Sequence, residues 1–303
     1  MPGRPLGKGV IDTMDDGTKE KAHRYVLFNC ETVNKFIEQH RRLVSIQNPR
    51  LREMAIDRIH SETFPTWFDK HVEELHNAGD SQITEELRCL AHGPNRIFTK
   101  YKRYLINGFR FHTKEIERKR KTQNSGIIVT AKTRSFASGR DGNPVSGDVT
   151  FYGVLTDIIE LDYLFGKMVV LFKGEWVSQS GKRQDKDCTL VNFARLMKDV
   201  EPFVLASQAE HVMYVEDLKH KDWQVAIKIN PRDFYDMNAG SFVDNVEAYL
   251  QSVICNTQSG DGDNNFDLVW TDMSAAIVDA PLSQVLRDNN FHDDGDEEEL
   301  DLM

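Results

Sequence analysis

Cysteine is scarce and scattered: the 303 residues hold four, Cys30, Cys89, Cys188 and Cys255, and none forms a CxxC pair. That spacing excludes a disulfide framework and argues against a zinc site, which leaves reduced structural thiols in a nuclear or cytoplasmic protein. Long apolar runs are missing too. No stretch approaches the ~20 residues a membrane span needs, so no membrane partner is expected. The first residues, MPGRPLGKGVIDTMDDG, lack an apolar core of the kind a secretory leader carries. Nucleophile motifs such as GxSxG are absent. None of the ten histidines stands in HxH or HExxH spacing, and His71 and His76 lie five apart rather than four. Asp148, Asp157, Glu160 and Asp162 crowd a short stretch, but two-metal chemistry needs carboxylates converging from separate elements. They read as strand-edge and turn acids. The expectation is a chain with no catalytic residues, no metal and no cofactor.

Positive charge is almost missing from one end. Residues 236–303 hold 16 Asp or Glu against the single Arg287, a local balance of −15, whereas residues 1–235 hold 37 basic and 32 acidic residues. The formal net charge of −10 is therefore a property of the C-terminal segment. That segment is too polar to offset the ordering cost of roughly 1–2 kcal/mol per residue, and it is expected to be disordered. One proposed role for it is to fold back and screen cations elsewhere in the chain.

What is present falls into two textures. Up to His92 apolar residues recur at helical spacing. Ala22, Tyr25, Val26, Val33, Phe36, Ile37 and Val44 predict one helix over 20–46. Asn48-Pro49 predicts the next start, a third helix is expected after Pro65, and Asp80-Ser81 is expected to cap a short fourth over ITEELRCLA. Beyond residue 125 the period falls to two. IIVTA, VTFYGVL, DIIELDYL, KMVVLFKGEWV, TLVNFA, FVLA, HVMYVED and WQVAIKI read as strands, separated by the polar clusters 138–148 and 178–187. Many short strands with polar turns predict an α+β protein: N-terminal helices, then a small antiparallel β-barrel, SH3-like or similar, then the acidic tail. The expected divisions are residues 1–45, 46–93, 94–235 and 236–303.

Between the two textures lies a basic junction. Residues 94–134 contain 12 Lys or Arg against Glu115 and Glu117. KYKRYLINGFRF interleaves Tyr101, Tyr104, Phe109 and Phe111 with Lys100, Lys102, Arg103 and Arg110; Lys114 and the run Arg118, Lys119, Arg120, Lys121 follow. Cations neutralise phosphates and release counterions, and aromatic rings stack on unpaired bases, so this mixture suits a nucleic-acid surface. The competing reading is a solvated helix end whose rings belong to the core. The RKRK run also has the form of a nuclear address. A different use of rings, a peptide groove or methyl-lysine cage, would need Tyr152, Tyr163 and Trp176 exposed on the barrel; core filling is the ordinary alternative.

Several long stretches resemble a known family. AHRYVLFNC, LAHGPNRIFTKYKRYLINGFRFHT, RKTQNSGIIVTA, DGNPVSGDVTFYGVLTDIIELDY and PFVLASQAEHVMYVED are similar to proteins encoded by plant CACTA (En/Spm-type) transposons, in the domain of unknown function that follows the transposase core. Residues 1 to about 45 resemble the end of the preceding transposase-associated domain. The DDE catalytic core has no counterpart here, so the resemblance implies a non-catalytic nuclear protein. Its implied partners are transposon-end-like DNA and other transposon-encoded or nuclear proteins. It supplies no catalytic residues.

Overall fold

In a computed structural model the described residues are 3–118, 120–135, 145–185, 188–198 and 202–231. The acidic tail, and with it the expected disorder and screening role, lies outside them, as do Lys119 and Cys255.

The helical part comprises α1 (Asp16–Phe28), α2 (Asn34–Gln47), α3 (Glu53–Asn77) and α4 (Glu85–His92), with a single turn α5 (Lys114–Glu117) further on. The strands are β1 (Arg4–Pro5), β2 (Val10–Thr13), β3 (Ile97–Tyr101), β4 (Arg103–Ile106), β5 (Phe109–His112), β6 (Gly126–Ser135), β7 (Val145–Tyr163), β8 (Lys167–Trp176), β9 (Lys182–Asp185), β10 (Cys188–Val191), β11 (Phe203–Leu205), β12 (Glu210–Glu216) and β13 (Gln224–Lys228).

Helix boundaries differ from the sequence expectation in four places. The expected 20–46 helix breaks after Phe28, where Asn29 turns its side-chain amide back onto the Tyr25 carbonyl at 2.9 Å. Asn48 ends α2 rather than starting a helix: its N–H donates to Val44 O and its side chain bonds the same carbonyl. Pro65 begins nothing; it sits inside the 25-residue α3. An interior proline costs about 3 kcal/mol, yet burial of Phe64, Phe68 and Val72 on either side of it offsets that loss. The cap of α4 is Thr84, whose hydroxyl accepts from Leu87 N–H, not Asp80-Ser81.

The β region is antiparallel, as expected, but it is not a closed barrel. One sheet runs β11-β8-β7-β6-β12-β13-β10-β9, with β2 and β3 attached through β7, and β1-β4-β5 form a separate small sheet. The end strands β11 and β9 do not pair with each other. The spacing of strands cannot reveal this, because closure depends on whether the outermost edges meet. The outermost β9 reads KRQD, and charge on an edge strand discourages further pairing.

The predicted strands over 149–155 and 157–164 are one strand, β7, with a bulge between Leu155 and Asp157. Its first half pairs with β6 and its second with β3 and β8. Such a bulge bends a strand and increases its twist. Both faces near the bend are buried. Ile127, Val129, Phe151 and Leu155 join a core shared with Tyr25, Phe36, Phe64 and Phe68 of the helices. Ile128, Tyr152 and Val154 form a second core with Val191, Val212 and Tyr214. The sheet thus contributes to two separate cores and does not close into a barrel.

Cys30 and Cys89 are buried and Cys188 is exposed, and none of the three is in a disulfide among the described residues. Among the described residues no helix is long and apolar enough to cross a membrane.

Candidate nucleic-acid interface

The register of β4 and β5 sorts the basic junction into two faces. They are joined by Asn107-Gly108, both with positive φ (51° and 76°), as a two-residue type I′ hairpin requires. Tyr104 lies opposite Phe111 and Ile106 opposite Phe109, and all four are buried. Arg103 opposite His112 and Leu105 opposite Arg110 make up the other face. β1 adds Arg4 to that face opposite Leu105. Arg4 was not singled out from the sequence, because only strand pairing carries it there.

The chain then passes through α5 into a tight loop. The Glu117 carboxylate accepts N–H bonds from Asn124 (2.9 Å) and Ser125 (2.7 Å), closing the loop on itself. Gln123 fastens it to β12 by bonding both the N–H and the carbonyl of Tyr214. The result is an open cleft of about 290 Å³ lined by Lys114, Glu117, Arg118, Arg120, Lys121, Thr122 and Gln123.

His112 registers the field of this surface. Burial, with 3% of the residue exposed, pushes its pKa down from 6.5 to about 4, and the positive charges of Arg120, Arg103 and Arg110 push the same way, opposed by Glu117. Three arginines from β4, β5 and the loop therefore converge on one histidine.

The nine candidate cations do not act as one surface. Lys100 pairs with Asp12 (2.8 Å), Lys102 with Glu115 (3.1 Å) and Lys114 with Glu175 (2.9 Å). Lys100 moreover belongs to the large sheet, in register with Val10 and Ile159. Among the described residues Arg103, Arg110, Arg118, Arg120 and Lys121 make no ion pair; Lys119 lies outside them. The stacking role expected for the interleaved rings is corrected. Tyr104, Phe109 and Phe111 are core residues, and the hydroxyl of half-buried Tyr101 donates to Glu160 at 3.0 Å. Tyr152, Tyr163 and Trp176 are likewise buried, so they form no exposed cage.

Two of the four crowded acids have structural partners: Glu160 accepts from Tyr101, and Asp162 accepts from the Asn95 side chain at 2.8 Å. Burial raises the Glu160 pKa. Among the described residues no three His, Cys, Asp or Glu side chains are grouped to hold a metal ion.

The His112 shift carries a pH dependence. Its folded pKa lies below its unfolded value, so the unfolded chain binds the proton better. The stabilising contribution is full above pH 6.5 and is lost as pH falls from 6.5 towards 4. It amounts to about 3 kcal/mol. Denaturant unfolding across that window should show His112→Gln losing less stability on acidification than wild type by about this amount; parallel pH profiles would contradict the assignment. Buried His23, held at about 3, adds a slope of the same sign to both proteins.

Residues 159–226 match the family described as "Domain of unknown function (DUF4216)". Searches among curated proteins and among solved structures find no match.

Proposed function

We propose that this chain is a non-catalytic, CACTA-type transposon-derived nuclear protein that grips DNA by its phosphate backbone. The observation that carries the reading is the set Arg103, Arg110, Arg118, Arg120 and Lys121. Among the described residues these cations lack carboxylate partners, and Arg103, Arg110 and Arg120 add to the effect of burial in depressing the titration of His112. Holding unpaired like charges together costs free energy that a bound polyanion relieves.

The matched family is commonly associated with transposases in plants, which supports the transposon origin. Burial of the interleaved rings removes the stacking platform that single strands use, so the favoured partner is duplex DNA. Contacts would go to phosphates and position the protein without reading bases. The run at 118–121 would serve nuclear import as well. The alternative of a protein-reading module built on exposed rings is not advanced, since Tyr152, Tyr163 and Trp176 are core residues.

Titration of the full chain against a short duplex at several ionic strengths tests the reading. Log affinity should fall linearly with log salt with a slope of about −4 to −5, near 0.9 per phosphate neutralised by five cations. Replacing Arg118, Arg120 and Lys121 by glutamine should flatten that slope by about 3. Binding that is absent, or indifferent to salt, would end the proposal.

A further inference from the structure

Arg183, Arg195 and Trp223 are remote in sequence and meet on the outer side of the sheet. The two guanidinium carbons lie 5.0 and 5.8 Å from the centre of the Trp223 ring. Arg183 comes from β9, Arg195 from the turn after β10 and Trp223 from the residue preceding β13. Both arginines are exposed, and among the described residues neither pairs with a carboxylate.

Their hydrogen-bonding capacity is largely unspent. Arg195 gives one N–H to the Ser180 carbonyl at 2.8 Å, which fixes its direction. Arg183 approaches His220 Nδ1 at 3.5 Å, but that nitrogen is 2.7 Å from Asp217 Oδ2. A nitrogen that donates its proton to a carboxylate has no lone pair left for Arg183. Stacking a guanidinium on an indole face holds it in place while its in-plane N–H fork stays free. Two forks are thus oriented in advance, and beyond the Ser180 bond and the long approach to His220 they have no acceptor among the described residues, the form in which arginine recognises phosphate.

A short backbone path links the cluster to the first basic surface. Gln123 ties the basic loop to Tyr214, and three residues further along the same chain Asp217 N–H donates to the Trp223 carbonyl at 3.0 Å. Three extended residues put about 10 Å of backbone between these two anchoring points, a span that one duplex with a major groove about 12 Å wide can cover.

We infer that Arg183 and Arg195, stacked on Trp223, form a second phosphate clamp, so that the DNA surface has two parts. The clamp lies within the segment matched to the family, whereas the first surface lies outside it. The inference rests on the DNA-binding reading above.

The test uses the full chain and a duplex long enough to cover both patches. Arg183→Gln with Arg195→Gln should reduce the salt slope by about 2 and the affinity at physiological salt by roughly thirtyfold. Trp223→Leu keeps both charges but releases them, so it should weaken binding severalfold with the slope unchanged. Arg183→Lys with Arg195→Lys, which keeps charge without the planar stack, should fall between wild type and the glutamine pair, and it guards against a folding artefact of that pair. Wild-type slope and affinity in the glutamine pair would overturn the second clamp while leaving the first surface standing. A wild-type chain without salt-dependent DNA binding would remove the underlying reading instead.

Discussion

Replacing Arg103, Arg110 and Arg120 by glutamine should lower duplex affinity at physiological salt by about a hundredfold or more, at roughly 0.9 counterions released per contact. The same exchange at Lys100, Lys102 and Lys114 removes an equal formal charge, yet it should cost less than about tenfold. The difference is in what each cation already touches. Those lysines are bonded to Asp12, Glu115 and Glu175, so they must give up a partner before meeting a phosphate. Among the described residues the arginines have no such partner, and their charge acts on His112. A readout independent of DNA comes from the same variant: with the three positive charges gone, His112 should titrate higher than its value of about 4, measured by NMR of the ring protons. Equal losses from both triplets would mean that affinity follows total charge. An unmoved His112 would mean that the arginines do not converge on it.

Gly126→Ala should destabilise the protein by about 3 kcal/mol, near the upper end for an inserted methyl group. A Cβ at this position would lie 2.0 Å from the carbonyl oxygen of Val212 and 3.0 Å from the Tyr214 ring. The first obstacle is backbone and cannot rotate away. It sits where β6 meets β12, in register Ile127 with His211 and Ile128 with Glu210. Separating these strands would open the second core at Ile128, Val212 and Tyr214. It would also loosen Gln123, which holds the basic loop against Tyr214. Thermal unfolding should therefore move down by about 10 °C, with weaker DNA binding alongside it. A midpoint within a degree or two of wild type would refute the close approach.

Periodicity carried far in the strands. The strands β12 and β13 and the split of 149–164 at residue 156 were legible, the latter reappearing as a bulge, but the alternation read in β13 did not set its buried face: Ile227 is exposed and Ala226 packs on the second core. FRFH alternates as well, and that pattern already contained the burial of Phe109 and Phe111. β9 was not legible: KRQD has no apolar residue, and it is a strand only because β10 pairs with it from Cys188 to Val191. Pro65 misled for the opposite reason, since a local breaking signal gave way to the packing of Phe64 and Phe68.

By itself the sequence determined the mixed helical and antiparallel texture and the concentration of cations between residues 94 and 134. These are local properties, set by side-chain period, charge and spacing. Only the tertiary structure decided that the sheet stays open, which cations are already paired with Asp12, Glu115 and Glu175, and that Arg183 and Arg195 share one indole. Strand-edge pairing, ion pairing and ring stacking join residues far apart in the chain, and no short window of sequence contains both partners.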